Sequence, residues 1–450
     1  MNVPEAAPTP PHHPNLEWLF GLQRFGMRTG LEVTQALLSR LGSPHLAFDT
    51  VLVGGTNGKG SVARVLAACL QASGARTGLF TSPHLQRVGE RARVAGESAT
   101  DADMERLVAA VRPEASAVGA TFFEVVTAAC LLRFVEASVD VAVLEVGLGG
   151  RLDATNVAAP DLTIVTGVAL DHTAVLGGTP EAIAAEKAGI LRPSVPLITG
   201  AAGGTLEVLY GRAEELGAPV HVLGHDFTAS EVTTSWGGTS FTLEWRASSH
   251  HGVPALLRTA GSLQLRSPLV GGHQASNVAL AAYGALRLGA PAEAVQQAVA
   301  VTHWPGRLEA REYSGRRTVL DGAHNPQAAR ALASSLAALE GQAAVLVVGM
   351  SEDKAVAEVL TELRAVARHV IFTRATSSPR SAAPQALLET WGAVGTAPAE
   401  LASEPAAALR RAVQLSQPGQ TVVVAGSLFL VAEVSDLLDG VEGETYERWQ

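Results

Sequence analysis

The residues with the clearest chemistry lie in a glycine-rich stretch between an apolar run and an Ala- and Leu-rich segment typical of a helix. Glycines let backbone N–H groups curl around phosphate oxygens, and the start of a helix adds a positive dipole. Lys59 would supply a compact charge at the β- and γ-phosphates. The stretch departs from the usual spacing because Gly60 separates Lys59 from Ser61. The predicted nucleotide site comprises Gly55, Thr56, Asn57, Gly58, Lys59, Gly60 and Ser61.

A second group of candidate residues stands at the ends of two apolar runs that are typical of strands. The run VDVAVLEVG carries Glu145 near its end, and TIVTGVAL is followed by Asp171 and His172. In a parallel sheet these ends lie at the same edge, beside the phosphate loop. A carboxylate in that place can hold Mg²⁺ on the phosphates. A surface carboxylate and a hydrogen-bonded loop histidine are the alternatives.

Lysine is scarce, because only Lys59, Lys187 and Lys354 among the 33 basic residues are lysines. Arginine cannot replace lysine where a compact or titratable amine is needed, so each lysine is a candidate for chemistry. Lys187 follows Glu186 in a helix-like segment, where a solvated ion pair is the alternative. We expect Lys354 to face a cleft between two domains, with a surface charge as the alternative.

Composition excludes several classes of protein. The 450 residues are 47% hydrophobic and 17% charged, which is typical of a globular chain with a large core. A net charge of −10 does not favour nucleic-acid binding. We find no apolar run of about 18 residues and no secretory signal, so we expect a cytoplasmic protein without a membrane partner. Cys69 and Cys130 lie in apolar segments and are predicted to be free, buried thiols.

The elements that must position these residues alternate between strand-like and helix-like segments from about Asp49 onwards, which predicts an α/β fold with a mostly parallel sheet. The stretch from Val220 to Leu265 reads as antiparallel hairpins. Thr302–Glu309 resembles a linker, and four strand-then-helix patterns follow it, which predicts a second, Rossmann-like domain. The predicted division is a disordered tail over 1–14, a P-loop ATPase domain over 15–303 and a C-terminal domain over 304–450.

Nine motifs in order carry a resemblance to a known family. They are GTNGKGS, TSPHL, TFFEVVTAA, EVGLGGRLDATN, DHTAVLG, EKAGI, WPGRLE, DGAHNP and GSLFL. This series resembles the folylpolyglutamate synthases and dihydrofolate synthases of the Mur-ligase superfamily, including the bifunctional members. The resemblance implies a Mur-ligase-like P-loop ATP-binding domain followed by a Rossmann-like glutamate-ligase domain.

The resemblance also implies roles for single residues. It implies that Ser82, Glu145 and His172 are ligands of Mg²⁺. Two Mg²⁺ ions are expected, and K⁺ is also possible. It implies catalytic roles for Lys59, Lys187 and His324, with Lys187 carboxylated on its amine. Further ATP contacts fall on Asn277, at the adenine edge, Arg307, at the phosphates, and Asp321, at the ribose. The implied positions for dihydropteroate are Arg28, Thr29, Gly30, Thr121, Phe123, Leu152, Asp153 and Ala154.

The implied reaction is ATP-dependent addition of L-glutamate to dihydropteroate, and then to the γ-glutamyl tail of folates, through an acyl phosphate. We favour the bifunctional form and expect a monomer. The alternatives are a monofunctional folylpolyglutamate synthase, a Mur-type ligase acting on a cell-wall nucleotide, and a nucleotide-binding regulator without ligase activity. A GTPase is disfavoured, because none of the three lysines lies in an Asn/Thr-Lys-X-Asp motif.

Overall fold

The computed structural model describes residues 13–25, 30–248, 250, 252–341, 343–441, 443, 444 and 446. Most of the predicted tail, as well as Arg28 and Thr29, lies outside these residues. The first helix begins at Pro14, where proline suits the first turn because its fixed φ is helical and its missing N–H is not needed.

An eight-stranded sheet forms the centre of the first domain, with the strand order β4-β3-β2-β5-β1-β6-β7-β8. Its strands are β1 (Asp49–Gly54), β2 (Thr77–Phe80), β3 (Ala92–Val94), β4 (Glu97–Ser98), β5 (Val141–Glu145), β6 (Leu162–Val165), β7 (Leu197–Thr199) and β8 (Val220–Val222). The neighbouring strands β2, β5, β1, β6, β7 and β8 pair in parallel. At one edge, β3 pairs antiparallel with β2, and β4 pairs antiparallel with β3. The predicted mostly parallel sheet is confirmed.

Helices cover both faces of this sheet. They are α1 (Pro14–Gly21), α2 (Glu32–Arg40), α3 (Lys59–Ala72), α4 (Asp101–Val118), α5 (Phe122–Glu136), α6 (Thr173–Leu176), α7 (Pro180–Ala188), α8 (Gly204–Glu215), α9 (Gly272–Arg287) and α10 (Ala292–Val301). Successive side chains of β1 alternate between the layers. Val51 and Val53 pack with α3 and α9, whereas Leu52 packs with α4 and α5. The strand is thus buried on both faces, as its apolar sequence predicts.

A three-stranded antiparallel sheet is attached to the first domain and consists of β9 (Phe227–Ser235), β10 (Gly238–Trp245) and β11 (Gly261–Ser267). The antiparallel hairpins predicted from the sequence are present, but the prediction that they begin at Val220 was wrong. Residues 220–222 form β8, which pairs in parallel with β7. The segment follows α8 after a short turn, so it completes a strand–helix–strand crossover and extends the main sheet.

The second domain contains a six-stranded sheet with the order β12-β13-β17-β14-β15-β16. Its strands are β12 (Glu309–Tyr313), β13 (Arg316–Leu320), β14 (Ala344–Val348), β15 (Ala367–Phe372), β16 (Ala399–Leu401) and β17 (Val422–Ala425). Its helices are α11 (Pro326–Glu340), α12 (Val356–Leu363), α13 (Pro384–Val394), α14 (Pro405–Leu415) and α15 (Leu428–Asp439). The four predicted strands are confirmed. The sequence missed β12 and β16, polar edge strands that bury no continuous apolar run.

Cys69 and Cys130 are free and buried, and burial raises the pKa of each thiol to about 12. Within the described part of the chain, no helix has the length and apolar character needed to cross a membrane.

Candidate active site

The glycine-rich stretch forms the turn between β1 and α3, and two of its glycines could not be replaced. Gly55 and Gly58 have φ values of 134° and 84°, a region that favours glycine. A Cβ atom on Gly55 would lie 2.0 Å from Thr166 Oγ1, and one on Gly58 would lie 2.3 Å from Asn277 Oδ1. The turn therefore needs glycine for its backbone conformation and for the close approach of its neighbours.

The unusual Gly60 has an explanation in the surrounding contacts. A Cβ atom at this position would lie 3.1 Å from Trp304 Nε1 and 3.4 Å from Glu145 Oε2. The indole from the linker and the carboxylate from β5 thus both approach the first turn of α3. The extra glycine in the motif leaves room for them.

A segment after β6 supports the phosphate loop. Thr56 N–H donates to Gly167 O at 2.8 Å, and Thr166 Oγ1 donates to Asn57 O at 2.7 Å. Ala169 N–H donates to Thr56 Oγ1 at 3.0 Å. Because this segment leads directly into Asp171 and His172, the loop and these two residues are fixed relative to each other.

Glu145 and Ser82 meet at the edge of the sheet, as the predicted metal site requires. Ser82 N–H donates to Glu145 Oε2 at 3.0 Å. Burial raises the pKa of Glu145, and nearby Lys59 opposes that shift. Ser61 Oγ is buried and has no hydrogen-bond partner. A carboxylate and an orphaned hydroxyl beside a phosphate loop are oxygen donors that suit Mg²⁺.

The third predicted metal ligand, His172, lies in a cluster with charged groups of the second domain. Its Nε2 atom is 3.4 Å from Lys354 Nζ. Burial and the Lys354 charge lower the pKa of His172 to about 4, so the ring is neutral at pH 7 and can offer a lone pair. No group of three His, Cys, Asp or Glu side chains with metal-binding geometry occurs among the residues described.

Asp171 ends the same strand-like run as His172, but its sequence position alone predicted no role for it. Its carboxylate accepts from Lys354 Nζ at 2.8 Å and from Asn325 Nδ2 at 3.0 Å, and it lies 3.5 Å from His324 Nε2. Burial would raise its pKa, but His324, Lys354 and His172 hold the pKa well below its usual range. All three second-domain partners reach across the cleft, which confirms that Lys354 faces it.

The phosphate loop itself also contacts the second domain. Asn57 Nδ2 donates to Gln327 Oε1 at 2.7 Å, and Asn325 Nδ2 donates to Asn57 Oδ1 at 2.9 Å. Asn325 and Gln327 were not predicted as site residues. Their position inside or next to the DGAHNP motif was the available signal.

Lys187 is buried behind the phosphate loop. Its Nζ donates to Gly55 O at 2.7 Å, and only 3% of the residue is exposed. Burial and the charge of Lys59 lower the pKa of Lys187 to about 7. The alternative prediction, a solvated ion pair between Lys187 and Glu186, was therefore wrong, because Glu186 pairs with Arg151 instead.

This lowered pKa predicts how stability depends on pH. Below pH 7 both the folded and the unfolded chain protonate Lys187, whereas between about 7 and 10.5 the unfolded chain binds the proton more tightly. The contribution of Lys187 to the free energy of unfolding should therefore rise with pH in this window, by about 1.4 kcal/mol per unit. Urea unfolding of wild type and Lys187→Met in CO₂-free buffer at several pH values measures it. A pH-independent difference between the two would contradict the buried-amine assignment.

The residues predicted to contact ATP from the linker and the second domain surround the DGAHNP turn. Asp321 accepts from Leu308 N–H and Ala323 N–H, both at 2.8 Å, so it ties the linker to this turn. His324 Nδ1 lies 2.8 Å from Gly322 O, so this histidine both braces the turn and faces Asp171. Arg307 Nη1 donates to Gly306 O at 3.0 Å. Their contacts with ATP stay predictions, as does that of Asn277, whose amide lies against the phosphate loop.

Phe123 and Asp153, two of the positions predicted for dihydropteroate, meet beside Gly147. A Cβ atom on Gly147 would lie 2.6 Å from the Phe123 ring and 3.1 Å from Asp153 Oδ2, so these two side chains meet there. Asp153 accepts from Leu148 N–H at 2.9 Å and Thr155 N–H at 3.0 Å, which organises the loop that also carries Leu152 and Ala154. Gly147 lies two residues after Glu145, so the predicted ring pocket adjoins the predicted metal site.

Two further positions of this group have other neighbours. Thr121 N–H and Oγ1 donate to Glu124 Oε2 at 2.7 and 2.9 Å, which closes the first turn of α5. Gly30 has a φ of 131° and leads into α2. Substrate contact by these residues stays a prediction.

Comparison with known families matches both parts of the chain. Residues 53–285 match the Mur ligase middle domain, and residues 306–428 match the Mur ligase, glutamate ligase domain. Together the two matches include the phosphate loop, Glu145, His172, Lys187 and the DGAHNP turn.

Individual relatives extend this similarity over nearly the whole chain. A probable bifunctional folylpolyglutamate synthase/dihydropteroate synthase of Haloferax volcanii is 39% identical over 94% of the chain, although the chain spans only 50% of that relative. The dihydrofolate synthase/folylpolyglutamate synthase of Escherichia coli is 35% identical, with 95% of the chain and 96% of the relative covered. The structure of E. coli FolC in complex with DHPP and ADP matches with a TM-score of 0.83 at 33% identity, covering 95% and 98% of the two chains.

Proposed function

Since the chain belongs to the Mur ligase family, among the dihydrofolate synthases and folylpolyglutamate synthases, we propose that it is an ATP- and Mg²⁺-dependent ligase that adds L-glutamate to dihydropteroate and to the γ-glutamyl tail of folates. One observation carries the proposal. The phosphate loop, the buried Glu145 and the Phe123–Asp153 wall follow one another along a single sheet edge. A phosphate donor and an acceptor with a flat ring and a carboxylate would therefore lie end to end.

The residues of the first domain would act mainly by positioning charge. Lys59 and the loop N–H groups would hold the ATP phosphates, and Ser61, Ser82, Glu145 and His172 would hold Mg²⁺. Bound Mg²⁺ neutralises charge that develops on the phosphates. The acceptor carboxylate would attack the γ-phosphorus of ATP, which gives ADP and an acyl phosphate. No enzyme nucleophile is needed for this step, so alignment and electrostatics carry it.

The second domain would supply the side that receives L-glutamate. Lys354, His324 and Asn325 all reach Asp171 across the cleft, so they face the place where the acyl phosphate would form. The glutamate amine would attack the acyl carbon, form the amide and displace phosphate. Ring binding by Arg28 and Thr29, at positions outside the described residues, belongs to the same proposal, as do a monomeric state and a cytoplasmic location.

We also propose that Lys187 carries a carbamate in the active enzyme. Its buried amine, with a pKa near 7, is largely neutral at slightly alkaline pH and can form an N–C bond with CO₂ while releasing a proton. The carbamate would then turn a cation into an anion beside the phosphate loop, which could hold a second metal ion. Arginine could not form this group.

Carbon-13 NMR of the enzyme in ¹³C-bicarbonate tests the carbamate. We expect a carbamate signal in wild type that is absent from Lys187→Arg, and we expect acetate to restore part of the activity of Lys187→Ala. Equal spectra of wild type and Lys187→Arg would contradict the modification.

The experiment that tests the function itself couples ATP hydrolysis to incorporation of radiolabelled glutamate. Dihydropteroate, tetrahydrofolate and a UDP-muramyl peptide are offered in parallel. We expect incorporation with the first two. Incorporation with tetrahydrofolate alone would show a monofunctional enzyme, incorporation with the muramyl peptide alone would overturn the folate assignment, and none with any acceptor would favour a regulator.

A further inference from the structure

The last described residues of the chain return from the second domain to the first. After α15 they comprise Gly440, Val441, Gly443, Glu444 and Tyr446, which we call the C-terminal strap. The ring of Tyr446 stacks on Phe20 of α1, with 4.3 Å between the centroids and 9° between the planes. Phe20 belongs to the core of the first domain, so the strap is anchored in that core.

Glu444 is the buried, charged residue of the strap. Its Oε1 accepts from Val88 N–H at 2.7 Å, and its Oε2 lies 3.2 Å from His84 Nε2. The side chains of His84 and Glu444 are only 3% and 4% exposed. Removing a carboxylate from water to this extent is costly unless partners compensate it, so the position of Glu444 is closely determined by the groups that it meets.

The partners of Glu444 belong to the loop that carries the predicted metal ligand Ser82. His84 Nδ1 accepts from Arg91 Nε at 2.8 Å, which joins the two ends of the segment from 84 to 91. Ser82, two residues before His84, donates its N–H to Glu145. One short segment thus contacts the strap at one end and the Glu145 carboxylate at the other.

The same segment also contacts the second domain directly. Leu85 packs in a core cluster of that domain, and Gln86 Nε2 donates to Asp436 Oδ1 at 2.9 Å and to Asp439 Oδ2 at 3.0 Å. Both of these acceptors lie on α15, which leads into the strap. The segment 82–91 is therefore held between α15 and the strap.

We propose that the C-terminal strap positions the segment 82–91, and that Glu444 is a positioning residue for the Ser82–Glu145 site acting through His84 and Val88. The structural role of the strap is independent of the proposed function, whereas its expected effect on activity rests on that function. The physical reason is that the N–H of Val88 and the ring of His84 have Glu444 as a buried acceptor, and loss of this acceptor would loosen the segment that orients Ser82.

Hydrogen exchange of the full-length, metal-free enzyme gives a readout that does not depend on activity. We expect amides of the segment 82–91 to exchange about tenfold faster in Glu444→Ala than in wild type. Glu444→Gln keeps a neutral acceptor for Val88 and should give a smaller increase. The control Glu404→Gln changes a 56% exposed carboxylate of the second domain and should leave these amides unchanged.

The activity arm measures the Mg²⁺ concentration that gives half-maximal glutamate incorporation. Groups that orient metal ligands typically change affinity or activity by about 10- to 100-fold, so we expect a shift of this order in Glu444→Ala. Tyr446→Leu, which removes the stack, should shift it in the same direction. Unchanged exchange of the segment 82–91 in Glu444→Ala would overturn the proposal. If the wild type incorporates no glutamate, the proposed function fails. The exchange result still tests whether the strap positions the segment 82–91.

Discussion

Lys59→Ala should remove nearly all ATP-dependent glutamate incorporation and leave the fold intact. The ammonium group donates to Thr56 O at 3.1 Å and is near enough to Glu145 and His172 for its charge to lower the pKa of both. It would neutralise charge on the transferred phosphoryl group. Loss of one such preorganised group costs on the order of 10²–10³-fold in kcat. Steady-state kinetics and thermal unfolding of the same preparation measure both parts of the prediction.

Two further variants serve as comparisons for Lys59→Ala. Lys59→Arg keeps the charge but replaces a compact ammonium with a planar guanidinium, so it should also fail. Arg40→Ala removes an exposed ion pair with Glu114 and should leave turnover unchanged. Retained turnover in Lys59→Ala would show that the phosphate loop is misassigned.

Glu145→Gln should lose activity without losing stability. Burial raises the pKa of this carboxyl above its ordinary value, so the folded chain binds a proton more tightly than the unfolded chain in the pH range above 4.5. The ionised carboxylate therefore lowers stability as pH rises through that range, and the neutral amide avoids this cost. At pH 8 we expect turnover to fall by about 10²-fold or more, the Mg²⁺ requirement to rise, and the melting temperature to be at least that of wild type.

The matched control for this variant is Glu136→Gln. Glu136 pairs with Arg106 on the surface, and its replacement should change neither activity nor the Mg²⁺ requirement. A Glu145→Gln enzyme that melts well below wild type would indicate that Glu145 serves the fold, and normal turnover would exclude it from the metal site. Loss of activity with retained stability is the result expected if the Glu145 carboxylate serves the reaction and not the fold.

The sequence predicted most of what depends on local chemistry. Glycines with a positive φ at Gly55 and Gly58, an acidic residue at the end of β5 and a lysine at the start of α3 are each readable from the order of residues along one strand–turn–helix unit. The mostly parallel α/β fold follows from the alternation of strands and helices, since a parallel sheet needs crossovers between its strands. The Mur-ligase type of this fold is what the resemblance of the nine motifs implies. For the same reason Val220–Val222 could have been assigned to the parallel sheet.

The contacts between the domains could not be predicted, because they join residues far apart in the sequence. Asp171 meets Lys354 and Asn325, and Asn57 meets Gln327, only once both sheets are placed. The polar edge strands β12 and β16 were missed because hydrogen bonding to a neighbour, and not apolar burial, defines them. The environment of Lys187 was also hidden, since its neighbour in sequence, Glu186, is not its partner in space.

Transfer of ¹⁸O from the acceptor carboxylate to phosphate tests the central claim most directly. Dihydropteroate labelled with ¹⁸O in its carboxylate is incubated with ATP, Mg²⁺, L-glutamate and the enzyme, and the products are examined by mass spectrometry. An acyl phosphate requires that one labelled oxygen leaves with inorganic phosphate while ADP stays unlabelled. Phosphate without ¹⁸O, or label recovered in AMP, would contradict the proposed ligase reaction.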